Sequence, residues 1–248
     1  MYTAAERNEE ATREILNIDP KSLIEREMNL TAASLLLQNS DNYQKGIELI
    51  ELAPDSIYTA HEIVSSILFG IGKDSLSYQV LKREISENPK PHVASYLRYS
   101  ILADKLDSPP NMLEILQKGI EDYPENVDLM NALGYMIAKH EIKDEYELAY
   151  RLLEEAVQMR LESEMIWDSL AWLYFVDGKP EKALAAMKIP LSKPIENSEI
   201  AYHLGAIYLE LGDLEEAKYY LELTIEIDDD ENSVLMAEKL LEKIDSGR

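Results

Sequence analysis

The sequence contains no cysteine and little positive charge. Without cysteine the chain forms no disulfide, no Cys-ligated zinc site and no thiolate nucleophile. Lys and Arg number 24 against 48 Asp and Glu, so the formal net charge is −24. Nucleic acids and anionic membrane surfaces are bound through clustered basic residues. We therefore expect a protein or peptide as partner, and no nucleic acid.

Long apolar runs are absent as well. No stretch approaches the roughly 18 apolar residues that a membrane span requires. Residues 1–7 have neither the basic nor the apolar region of a signal peptide. We expect no membrane insertion by this chain. The compartment stays open between the cytoplasm and a periplasmic or membrane-anchored location whose anchor has been removed.

Glycine and proline are scarce, but they recur at a fixed period. Leu170 and Gly178 reappear 34 residues later as Leu204 and Gly212. Prolines in the first half are spaced by 34 or 35 residues, at Pro20, Pro54, Pro89 and Pro124. Within each period the apolar residues follow helical spacing and not the alternation of a strand. The pattern predicts an all-α chain of fourteen helices, two in each repeat.

The repeat resembles the tetratricopeptide repeat (TPR). One copy carries the large, small and turn residues of that family at its fixed steps: Trp167, Leu170, Ala171, Tyr174, Gly178, Ala183, Met187 and Pro194. The resemblance implies a right-handed superhelix (α-solenoid) of about six to seven helix pairs with a C-terminal capping helix. Small residues at Gly134, Ala171 and Gly205 would let the first helix of a pair approach its partner closely.

We interpret residues 1–248 as a single solenoid. The closeness of the match to the repeat pattern varies along it. The match is close over 126–228, looser over 21–125, and reduced to a half-repeat over 5–20, with the capping helix at 231–245. The half-repeat suggests a fragment of a longer chain. Its open N-terminal end could be covered by self-association.

The sequence departs from the repeat pattern at several positions, where we expect local changes in structure. Met112 stands where a small residue is usual, and Glu84 where Ala is usual. The turn of the fourth repeat is three residues longer than the turns of the two repeats that follow. Pro190 falls inside an expected helix, so that helix should kink or end near Ile189.

No residue set predicts catalysis or metal binding. His61 lacks the second histidine of a metalloprotease helix, and residues 70–74 lack the hydroxyl of a phosphate loop. Residues 228–239 lack the glycine and the bidentate glutamate of a calcium loop. We expect a non-enzymatic protein with no metal and no cofactor.

The family resemblance implies a binding groove. The first helices of TPR pairs line a concave face, and their inward positions supply seven candidate partner-binding residues here: Leu97, Ile101, Tyr135, Asp168, Trp172, Phe175 and Tyr202. Exposed aromatic side chains in a concavity are typical binding anchors. Any one of the seven could instead pack against a neighbouring repeat. For Trp172 and Phe175 the groove is favoured, because Trp167, Leu170 and Tyr174 already fill the packing positions.

One type of TPR ligand is disfavoured. TPR proteins that hold the acidic C-termini of chaperones use Lys, Asn and Arg in the groove. The equivalent positions here hold Asn131 and Tyr135, Asp168 and Trp172, Tyr202 and Ala206. Because no basic clamp is formed, we expect a ligand that is apolar, or basic with apolar anchors. Asp168 could orient it by accepting a hydrogen bond.

A narrower resemblance concerns residues 129–135, 168–172 and 203–205. They are similar to the C-terminal repeats of exported TPR proteins of Gram-negative bacteria, often lipoproteins, some of which are adaptors of carboxyl-terminal processing proteases. The prediction is a scaffold or adaptor whose partner could be a protease or another envelope protein. Two alternatives stay open: an assembly subunit that oligomerises through convex or end surfaces, and the regulatory region of a larger enzyme.

Overall fold

The structure is a computed structural model that describes residues 36, 45, 46, 48, 50, 59–106, 109–187 and 194–246. The expected half-repeat at 5–20 and the segment around Ile189 and Pro190 lie outside these residues. Within the described ranges the chain forms eleven α-helices, one short 3₁₀ helix and no strand. The prediction of an all-α chain is confirmed.

The helices belong to two compact units, Met1–Tyr123 and Pro124–Arg248. The N-terminal unit contains α1 (Ala60–Gly70), α2 (Asp74–Glu87), α3 (Val93–Leu106) and α4 (Pro109–Asp122). The C-terminal unit contains α5 (Val127–Lys139), a 3₁₀ helix (Lys143–Glu145), α6 (Tyr146–Met159), α7 (Glu164–Val176), α8 (Pro180–Met187), α9 (Ser198–Glu210), α10 (Leu214–Ile227) and α11 (Glu231–Asp245). The boundary between the units lies where the match to the repeat pattern changes from loose to close.

Within each unit, successive helices pack against each other in the manner of two-helix repeats. Contacts join α1 to α2 and α3 to α4 in the N-terminal unit, and α5 to α6, α7 to α8 and α9 to α10 in the C-terminal unit. The last helix, α11, occupies the range expected for a capping helix and packs on α9 and α10. Its Ala237 is fully buried, whereas Leu235 and Met236 are exposed.

The turns between paired helices require a left-handed backbone. Gly178 and Gly212 take this conformation with φ of 72° and 80°, at equivalent places after α7 and α9. Glu141 follows α5 at the same place, and its φ is 49°. Left-handed backbone suits glycine and strains other residues. The three residues that lengthen this turn form the 3₁₀ helix before α6.

Close approach of paired helices depends on glycine at two positions. A Cβ atom at Gly134 would lie 2.5 Å from the side chain of Leu153, and one at Gly205 would lie 2.7 Å from Leu221. Both distances are far below a van der Waals contact. The expectation that small residues at Gly134 and Gly205 allow close packing therefore has a direct geometric basis.

In the N-terminal unit, polar contacts explain the unusual Glu84. Its side chain is buried, and it accepts hydrogen bonds from Thr59 Oγ1 at 2.8 Å and from Asn88 Nδ2 at 2.6 Å. The neighbouring Glu62 is also buried and accepts from the backbone N of His92. A buried carboxylate is tolerated when donors surround it. Glu84 therefore replaces the usual Ala as part of a satisfied polar network.

Candidate functional site

The candidate site lies on α5, α7 and α9, the first helices of three successive repeats. Helix α7 lies between the other two and contacts both α5 and α9. The site brings aromatic residues of all three helices together. The ring centroids of Trp172 and Tyr202 are 6.0 Å apart, and those of Tyr135 and His203 are 6.5 Å apart.

Trp172 is the centre of an aromatic cluster, which we define as Trp172, Phe175, Tyr202 and His203. The indole stacks on His203 with 3.9 Å between ring centroids and on Phe175 with 4.9 Å. Trp172, Phe175 and Tyr202 are partly exposed, while His203 is buried. Phe175 also packs against the apolar core of the unit. The cluster therefore offers partly exposed aromatic surface that stacking holds in place.

Beneath the cluster lies a buried polar pair. Asp168 of α7 is 5% exposed, and its Oδ1 lies 2.8 Å from Nδ1 of the buried His203 of α9. The carboxylate that sequence reasoning placed in the groove is thus hydrogen-bonded within the protein. His203 was missed as a site residue. Its position directly after the predicted groove residue Tyr202 could have marked it as a candidate. Its hydrogen bond to Asp168 could not be predicted, because that contact depends on how α7 and α9 pack.

A second polar contact joins α5 to α9. The hydroxyl of Tyr135 donates a hydrogen bond to Glu199 Oε1, so a predicted groove residue is held by a carboxylate that the sequence analysis did not select. Burial raises the pKa of the Tyr202 hydroxyl above its ordinary value. Tyr202 is therefore a neutral hydroxyl at physiological pH.

A cleft with a volume of about 100 Å³ adjoins these contacts. It is lined by residues of α5, α7 and the start of α9: Asn131, Tyr135, Met165, Asp168, Ser169, Asn197, Glu199 and Ile200. Oδ1 of Asn131 is a buried atom with no hydrogen-bond partner. Buried polar atoms are nearly always paired. Because this atom is itself buried, a ligand in the cleft would donate to it only after the Asn131 side chain shifts.

The two remaining predicted groove residues, Leu97 and Ile101, lie on α3 of the N-terminal unit. Leu97 is partly exposed and Ile101 is 47% exposed. Phe69 of α1 is exposed as well. These side chains are apolar surface of that unit, and their role in binding stays a prediction.

Among the residues that the structure describes, no group of three or more His, Asp and Glu side chains could hold a metal ion. Likewise, of the helices given above, none combines the length and the apolar character that crossing a membrane would require.

Comparison with known proteins shows that the chain is similar to TPR proteins. No family model matches it. A TPR repeat-containing protein of Pseudomonas aeruginosa is 26% identical over 152 residues, which is 61% of this chain and 25% of that protein. DnaJ homolog subfamily C member 3 of Gallus gallus is 26% identical over 102 residues, or 41% of this chain and 20% of that protein. The chain spans a quarter or less of the length of these relatives.

Solved structures show the same fold. A thermophilic TPR protein of Thermus thermophilus superimposes with a TM-score of 0.60 at 19% identity, covering 73% of this chain and 97% of the other. MamA of Desulfovibrio magneticus gives 0.54 at 18% identity, with coverage of 68% and 96%. MamA of strain AMB-1 gives 0.52 at 20% identity, with coverage of 68% and 98%. The predicted TPR solenoid fold is confirmed, and the resemblance to protease adaptors stays a prediction.

Proposed function

We propose that this chain is a non-enzymatic scaffold or adaptor whose C-terminal unit binds a peptide segment of a protein partner on α5, α7 and α9. TPR folds generally mediate protein–protein interaction. The observation that carries the proposal is the aromatic cluster, in which Trp172 and Phe175 stack on each other and remain partly exposed.

Aromatic side chains of this kind suit a binding surface. Tryptophan and tyrosine are enriched among the residues that dominate binding energies. Trp172 is already fixed against His203 and Phe175, so little rotamer freedom is lost when a partner contacts it. Leu97 and Ile101 would supply apolar contacts in the N-terminal unit. The partner would therefore be held mainly by apolar anchors.

A second candidate function is assembly through the end of the chain's last repeat. Leu235 and Met236 of α11 and Tyr219 of α10 are exposed apolar side chains. Large exposed apolar residues often mark interaction surfaces. In this alternative the chain oligomerises through α10 and α11, and the aromatic cluster plays no part.

Peptides selected from a random library on the wild-type protein would test the proposal. Trp172→Ala should weaken the selected peptides roughly thirtyfold to a thousandfold, the effect of truncating a buried anchor. Tyr219→Ala is the matched control, since Tyr219 is an exposed aromatic residue on a second helix. It should change the dissociation constant by less than about twofold.

Two results would overturn the proposal. Loss of helical circular dichroism or a large drop in Tm in Trp172→Ala would make Trp172 a core residue. Unchanged peptide binding with an unchanged Tm would place the partner elsewhere. A monomer–oligomer equilibrium that responds to Leu235→Ser, measured by sedimentation, would then favour assembly.

A further inference from the structure

We infer that the cleft between α5, α7 and α9 receives an arginine side chain of the bound peptide. This inference rests on the proposed function, because the cleft adjoins the aromatic cluster and Asp168 belongs to its wall. It adds a specificity determinant, a cationic side chain next to the apolar anchors, that the aromatic cluster alone does not imply.

The charges of the cleft favour a cation. Of its eight lining residues two are acidic, Asp168 and Glu199, and none is Lys or Arg. Lys139 lies over the ring of Tyr135, with its Nζ 6.0 Å from the ring centroid, but does not line the cleft. With a chain net charge of −24, the wider electrostatic field also attracts basic segments.

Hydrogen-bond acceptors in the cleft have capacity for a ligand. Asn131 Oδ1 is buried without a partner. Glu199 accepts from Tyr135 through Oε1, and a carboxylate can accept further donors. Asp168 is engaged with His203, so it contributes charge more than new hydrogen bonds. The Glu199 carboxylate is therefore the group that a cation would reach first, and the buried Asn131 oxygen would accept from it only after the Asn131 side chain shifts.

The start of α9 does not turn the cleft into an anion site. A helix N-terminus attracts anions through its unpaired N–H groups. Here Asn197 accepts the N–H of Ile200, and Asp229 accepts the N–H of Ser198. Side chains of the protein already occupy these donors, and the Glu199 carboxylate stands beside them.

Arginine suits the cleft better than a compact ammonium group. Its guanidinium carries five donors in a planar fork and stacks on aromatic rings. The cleft offers acceptors on two helices and the ring of Tyr135. Met165 is 65% exposed at its side, where a polarizable thioether can pack against the methylene stem. The cleft has a volume of about 100 Å³, so it would receive the guanidinium end of one peptide side chain.

The test uses the tightest-binding peptide from the library selection, and a copy with each arginine replaced by citrulline, which keeps the shape and removes the charge. Binding is measured by titration calorimetry. Citrulline should weaken binding to wild type roughly tenfold to a hundredfold, as expected for charged hydrogen bonds. In the Glu199→Gln variant the same replacement should raise the dissociation constant by less than about threefold. Glu196→Gln, an exposed residue three positions earlier that does not line the cleft, should behave as wild type.

Asn131→Asp provides an independent readout in the opposite direction. The new carboxylate should tighten the arginine peptide several-fold and leave the citrulline peptide unchanged. Tm measurements on both variants confirm that the fold is kept. If Glu199→Gln lowers Tm strongly, its binding result does not report on the cleft. The affinity of Asn131→Asp for the arginine peptide then tests the inference.

Failure of this inference differs from failure of the proposed function. The selected peptides could depend on Trp172 but show no preferred arginine, or citrulline could weaken binding equally in wild type and Glu199→Gln. In either case the cleft is not a cation site, and the proposal that the aromatic cluster binds a peptide is kept. If no selected peptide depends on Trp172, both proposals are wrong.

Discussion

Asp168 of α7 and His203 of α9 form a buried pair, with 2.8 Å between Oδ1 and Nδ1. The pair links the first helices of two successive repeats, and the indole of Trp172 stacks on the paired imidazole. The partly exposed aromatic surface thus rests on a buried polar contact. Its geometry depends on the alignment of two repeats and not on one helix alone.

The first prediction concerns this pair. Asp168→Ala should lower the free energy of unfolding by about 1–3 kcal/mol, because it leaves a buried His203 nitrogen without its partner. Urea unfolding followed by circular dichroism measures the loss. The double variant Asp168→Ala/His203→Ala should lose less free energy of unfolding than the two single variants lose together. The difference should be about 0.5–3 kcal/mol. Strict additivity would show that the pair is not energetically coupled.

The second prediction concerns Gly205. Ala at this position should lower stability by about 1–3 kcal/mol through overpacking, offset in part by the better helix propensity of Ala. The added Cβ would meet the side chain of Leu221 at 2.7 Å and its backbone N at 3.2 Å. Gly134→Ala should cost less, since all three nearest atoms belong to the movable side chain of Leu153. Thermal unfolding should give a lower Tm for Gly205→Ala than for Gly134→Ala. Equal losses in Tm would contradict the prediction.

The third prediction is a stabilising change. Glu141 has a φ of 49° at the place where Gly178 follows α7 with a φ of 72°. Glu141→Gly should raise the free energy of unfolding by about 1 kcal/mol, because a left-handed conformation strains residues with a Cβ atom. The matched variant Gly178→Ala should lower it by a similar amount. Chemical denaturation of the two variants should shift the midpoint in opposite directions.

The fourth prediction is a pH dependence at Asp229. Hydrogen bonds from the side chain and backbone of Ser198 hold the pKa of Asp229 below its ordinary value. The lowered pKa means that the folded state favours the carboxylate. Its contribution to stability is therefore present above the pKa of the unfolded chain and is lost as pH falls through the lower native pKa.

Asp229→Asn should accordingly lower Tm at pH 7, and the difference from wild type should shrink below about pH 4. Thermal unfolding across this range provides the measurement. Asp228→Asn is the control, since Asp228 is exposed and left-handed, a conformation that Asn also accepts. A constant difference between wild type and Asp229→Asn at every pH would show that the carboxylate charge is not involved.

Sequence reasoning reached the repeat and its helices because their signals are local. Helical spacing of apolar residues, glycines after α7 and α9, and small residues at Gly134 and Gly205 can each be read within one period. The extra length of the fourth turn was equally visible, and it appears as the 3₁₀ helix of residues Lys143–Glu145. The predicted capping helix at 231–245 corresponds to α11.

The sequence also selected Trp172, Phe175 and Tyr202, which the structure brings together in one aromatic cluster. It did not select Glu199, which bonds to Tyr135, or Asn131 as an unpaired acceptor. These roles depend on contacts between different repeats. A small rotation of one helix against the next changes which side chains meet, and no local pattern records that rotation.

Residue spacing alone therefore established the helices, their pairing and the turns, because a helical period and a left-handed turn depend on neighbours along the chain. The packing of α5, α7 and α9 decided that Asp168 is buried against His203 and that a cleft opens beside Glu199. Whether a polar side chain faces water or a partner depends on residues that are far away in sequence. The physical reason is that burial is a property of assembled helices.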